Sequence, residues 1–171
     1  MHSLAILLLA FVFLVLQSTL AHLLHWDQIV PNAALVIALH MGIHDYSTGK
    51  GAILAFLIGY FMDAFAGSPI GLYTFVSVAI FLISRIASLR LFLQGWAFEI
   101  FITFFLALVA GVLTLSIRAL FDQDFGSLLL HAKIVIFRAV ATAIVAPLVY
   151  KLMKKIDLVH AKRASRARMM M

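Results

Sequence analysis

Apolar residues along this chain fall in long runs, and the polar positions collect in short gaps between them. Runs that are apolar on every side suit a bilayer better than a water-facing stripe does. The pattern predicts six helical spans: Leu4–Leu24, Ile29–Ile43, Gly51–Phe65, Ile70–Ser84, Ala97–Ile117 and Leu128–Leu152. The second and third are short. Fifteen residues rise only about 22 Å through a hydrocarbon core about 30 Å thick, so one of them is tilted or re-entrant, and five spans is the alternative count. The fold class is all-α and polytopic. Residues 1–152 form one transmembrane domain and 153–171 a basic tail.

Composition narrows the picture. Of 171 residues, 65% are apolar and 12% charged, which leaves little chain for a soluble domain. There is no cysteine, which excludes disulfides and thiolate metal sites. Thr19-Leu20-Ala21 ends the first run with small residues, as a cleaved leader does, but no Lys or Arg precedes that run, so a retained span is expected.

The formal charge is +6. Seven basic residues, Lys151, Lys154, Lys155, Lys162, Arg163, Arg166 and Arg168, lie within the last 21 positions, directly after an apolar span. That placement favours anionic lipid headgroups over nucleic acid, at about 1 kcal/mol per basic residue near the surface. Placing both termini in the cytoplasm puts Lys50, Arg85, Arg90 and those seven inside, against Arg118 alone outside. The positive-inside bias fits this orientation.

Two histidine pairs invite a metal reading: His22 with His25, and His40 with His44. In the six-span topology the pairs lie on opposite sides of the membrane, so no shared metal is expected. Structural or interfacial roles remain.

Asp63 is the acid that the pattern least explains. Gly51, Ala55, Gly59, Asp63 and Gly67 recur every four residues and form one seam of small side chains carrying a carboxylate. A carboxylate at that depth needs a partner or a proton. Arg138 is at matching depth in the sixth span, where Arg138, Thr142 and Ala146 repeat the same spacing. The expectation is that the two seams meet and the charges pair. Interfacial solvation of both groups, or a proton-carrying Asp63, are the other readings. Glu99, near the start of the fifth span, is expected to pair with Arg85 and Arg90.

Gly67-Ser68-Pro69-Ile70-Gly71 reads as a tight turn, because glycine permits positive φ and proline stops helix continuation. Pro31 suits the first turn of the second span. With Gly59-x-x-x-Asp63, the Gly67, Pro69 and Gly71 turn, and Pro31 opening the second span, the stretch from Pro31 to Arg85 resembles the rod shape-determining MreD family. Tyr60 departs from the leucine common in that family before the acid.

The resemblance implies a non-enzymatic scaffold of the cell-elongation and peptidoglycan-synthesis machinery in the bacterial inner membrane. Implied partners are an MreC-like single-span protein and, around it, MreB, RodA and a class B transpeptidase. It also implies a fold similar to the six-helix substrate-binding subunits of energy-coupling vitamin transporters. Fold alone carries no function. The residues agree with a non-enzyme: no catalytic triad spacing, nucleotide loop or paired carboxylates appear, no cofactor is implied, and the outer loops are too short to enclose a substrate. The rival readings are a small-molecule uptake subunit and a proton-coupled carrier using Asp63. Ala5, Ala10 and Ala21 do not form the alanine-rich face an uptake subunit needs.

Overall fold

The structure is a computed structural model describing residues 2–24, 31–44, 47–66, 71–90, 96–121 and 128–169. Six helices follow in order: α1 (His2–Leu24), α2 (Ala33–Ile43), α3 (Thr48–Ala66), α4 (Leu72–Arg90), α5 (Trp96–Phe121) and α6 (Leu128–Met169). Each of the six predicted runs holds one of these helices, and its described residues are helical apart from Pro31, Asn32 and Gly71. Three segments, Thr48–Ala66, Phe98–Leu120 and His131–Leu158, are long and apolar enough to cross a membrane, while Leu4–Thr19, Ala33–Ile43 and Leu72–Ser88 are shorter apolar helices.

The short second run is the centre of the bundle. α2 has 11 residues, about 16 Å of rise, too little to cross a bilayer unaided. Everything from Ala33 to Gly42 is buried, and α1, α3, α4 and α6 all pack on it. A helix apolar all round belongs inside such a cage. The third run is not short: α3 begins at Thr48 and has 19 residues.

The outer surface is apolar as well, with Leu4, Phe101, Ile144 and Leu120 among the exposed large side chains. Such a surface suits lipid. On that outer surface Phe11 meets the edges of Phe61 and Phe65 at centroid distances of 6.0 and 5.9 Å, joining α1 to α3.

The sixth helix runs on past residue 152. α6 continues for 42 residues to Met169, with Pro147 inside it. Lys151, Lys154 and Lys155 are exposed on that helix, and the backbone at Lys162, Arg163, Arg166 and Arg168 is helical too. Lysine and arginine are good helix formers, so a basic composition does not end a helix that has already nucleated.

Candidate functional site

Asp63 lies in the last turn of α3, 3% exposed. Its Oδ2 accepts the Gly71 N–H at 2.9 Å, the Thr74 N–H at 3.1 Å and the Thr74 hydroxyl at 2.6 Å. Its Oδ1 accepts the Tyr73 N–H at 2.8 Å. These are the N–H groups that the start of α4 cannot satisfy for itself. Asp63 therefore caps α4 from a neighbouring helix, with its negative charge at the positive end of the α4 dipole. Four donors on two oxygens is the acceptor-only pattern of an ionised carboxyl.

The chain geometry explains how it reaches. Gly71 has φ of +102°, the left-handed region open to glycine, and it turns the backbone into α4. Gly59, one turn before Asp63, faces the same place: a Cβ there would stand 2.5 Å from Thr74 Cα and 2.7 Å from the Tyr73 carbonyl oxygen. The missing side chain lets the first turn of α4 approach closely enough for the carboxylate to collect its N–H groups. Gly67 and Pro69 lie outside the described residues. Pro31 precedes the N-cap Asn32 instead of occupying the first turn of α2.

This geometry corrects the expected Asp63–Arg138 seam. Among the described residues α3 and α6 do not pack on each other, whereas α3 packs extensively on α4. The carboxylate finds its donors eight to eleven residues ahead, and Arg138 is not among them. Backbone N–H groups at a helix start meet the need for a partner as well as a cation would. The α6 seam faces α2: Thr142 donates its hydroxyl to the Arg138 carbonyl at 2.7 Å and accepts the Asn32 N–H at 3.0 Å. Asn32 caps α2 through Leu35, and Gln17 of α1 accepts the Ala33 N–H at 3.3 Å.

At the opposite end of α2, His40 is fully buried, with Nε2 3.2 Å from Asp157 Oδ2 of α6. Its ring stacks on His44 at 4.0 Å. The histidine pair thus holds α2 against α6, and no group of three metal-ligating side chains occurs among the described residues. His25 lies outside them, as does the side chain of His22. Glu99, expected to pair with Arg85 and Arg90, has Lys154 as its described partner, at 2.7 Å, and the side chain of Arg90 lies outside the described residues. Thr103, one turn after Glu99, meets the Tyr150 hydroxyl at 3.1 Å. The α5–α6 packing brings Lys154 to Glu99, which sequence order alone did not suggest.

A cavity of about 560 Å³ opens near the start of α2. Gln17, Asn32, Arg118, His131, Arg138 and Thr142 are among its polar lining residues, and Leu14, Leu35, Met62 and Val135 among its apolar walls. Short loops had argued against such a space. Helices enclose it instead, on one face of α5 and one face of α6. Its sequence signal was the heptad step from His131 to Arg138 and the four-residue step from Thr114 to Arg118.

No curated protein and no solved structure matches this chain. The model of one family, rod shape-determining protein MreD, matches residues 1–156. That stretch takes in all six helix starts, the Asp63 cap, the buried histidine and the cavity, and with it matched the chain belongs to the MreD family.

Proposed function

We propose that the protein acts as a non-enzymatic membrane scaffold for the bacterial cell-elongation machinery. Membership of the MreD family gives it a role in rod-shape determination, and this is the observation that carries the reading. The geometry is in keeping with it. Several of the described buried polar groups join helices: Asp63 ties α3 to α4, Thr142 ties α6 to α2, and Thr103 ties α5 to α6. A carrier would need Asp63 to exchange protons, but its oxygens are already occupied by helix-terminal donors. The apolar outer faces, including Phe56 and Phe75, offer lipid-depth surface on which a single-span helix of an MreC-like protein docks. MreB, RodA and a class B transpeptidase follow as members of the same assembly, in the inner membrane.

The test has two arms. In a rod-shaped bacterium depleted of its own MreD, expression of this chain restores rods. After mild-detergent extraction, mass spectrometry of the tagged protein recovers an MreC-like partner. Round cells despite expression at normal level, together with no elongation protein recovered, would remove the scaffold reading.

A further inference from the structure

The cavity at the start of α2 is chemically lopsided. Arg118 of α5 and Arg138 and His131 of α6 line it, and no aspartate or glutamate is among its described lining residues. One donor is conspicuous. Arg118 Nε is shielded from solvent and has no hydrogen-bond partner among the described residues. Buried donors are nearly always satisfied, so an orphaned guanidinium nitrogen beside a cavity marks a place where an acceptor belongs.

We propose that this cavity binds the phosphate head of an anionic membrane amphiphile. Guanidinium groups grip phosphate oxygens through paired N–H donors, and here two come from adjacent helices facing one space. Thr114 and Thr142, one turn from Arg118 and Arg138 respectively, line the same space, but their hydroxyls already donate to the Ala110 and Arg138 carbonyls, so the grip is left to the guanidinium groups. A volume of about 560 Å³ lies within the ordinary range for small-ligand sites. It accommodates a phosphate head and the first part of a chain. The apolar walls from Leu14, Leu35, Met62 and Val135 distinguish an amphiphile from free phosphate, because a small hydrated anion gains nothing from them. Among the described lining residues no acid stands ready to meet the cation of a zwitterionic head, which would face the arginines instead.

Native mass spectrometry of the full chain in detergent tests the assignment, with phosphatidylglycerol and phosphatidylcholine as probes. Phosphatidylglycerol is expected to be retained about tenfold more tightly, about 1.4 kcal/mol. Arg118→Gln should reduce its retention to the phosphatidylcholine level. Thr114→Phe keeps both arginines but fills the cavity, and should also abolish retention; it decides the matter if Arg118→Gln does not fold. Equal retention of the two lipids, or undiminished phosphatidylglycerol binding in the folded variants, overturns the proposal. A third arm adds inorganic phosphate without lipid. If it raises the unfolding temperature as much as phosphatidylglycerol does, the site takes free anion and the amphiphile is wrong.

Discussion

Thr74 meets Asp63 twice, through its backbone N–H at 3.1 Å and its hydroxyl at 2.6 Å, and both bonds end on the same carboxylate oxygen. A helix start is thereby fastened by a side chain from another helix. In a bilayer this matters more than in water, because nothing in the surroundings replaces a lost acceptor.

Thr74→Val keeps the shape and the N–H but removes the hydroxyl, and should cost about 1 to 2 kcal/mol. Asp63→Asn should cost more, since one acceptor oxygen becomes an NH₂ facing donors. Asp63→Ala leaves the N–H groups of Gly71, Tyr73 and Thr74 without their acceptor and should be the worst of the three. Thermal unfolding in one fixed detergent ranks them. Combining Asp63→Lys with Arg138→Asp should give no rescue, because the two helices do not pack together; recovery in the double variant would restore a direct pairing.

Gly59→Ala is the steric counterpart. The added Cβ would press on backbone atoms of Tyr73 and Thr74, which cannot swing aside as a side chain does. Overpacking of this kind costs about 1 to 3 kcal/mol. Gly49, on the same helix, faces nothing within 4 Å. Gly49→Ala should therefore be neutral or stabilising by up to about 1 kcal/mol through helix propensity. Equal losses in the two variants would show that close approach is not what Gly59 provides.

How much of this was legible follows from the range of each interaction. The six helices were readable because long hydrophobic runs report helices locally, whereas the central burial of the second run was not, because an apolar run looks the same whether lipid or protein covers it. The seam on α3 was readable, since small residues every four positions mark a packed face. Its partner was not. Spacing says that Asp63 needs donors, but it does not distinguish an arginine on a distant helix from the N–H groups of the next one. The clue was Gly71 and Thr74, which supply a turn and a hydroxyl within reach of a preceding acid. Contacts such as His40 with Asp157, 117 residues apart, depend on which helices become neighbours, and no local pattern encodes that. The cavity shares this dependence, since its two arginines come from different helices.

Stability should depend on pH through His44, at the C-terminal cap of α2. Burial, then the neighbouring His40 and Lys154, hold its imidazole below the usual histidine value of 6.5; its bond to the His40 carbonyl and the charge of Glu99 oppose them. The unfolded chain then takes up the proton first, so stability is complete above pH 6.5 and is lost as the pH falls through the lowered folded value. Unfolding temperatures measured from pH 7.5 down to 5.5 should decline, and His44→Gln should flatten the curve. An unchanged slope in that variant would move the effect to another group.

Orientation rests on charge asymmetry, and the chain permits a clean test because it has no cysteine. Lys50 stands at the start of α3 and Leu120 near the end of α5, both exposed. With both termini in the cytoplasm these positions face opposite sides, since α3 and α5 each run outward from the end where Lys154 meets Glu99. In intact spheroplasts a membrane-impermeant maleimide should label Leu120→Cys and leave Lys50→Cys unmodified until the cells are lysed. The reverse pattern would invert the protein, set Arg118 and the cavity against the cytoplasmic leaflet, and place the basic end of α6 outside, against the positive-inside bias.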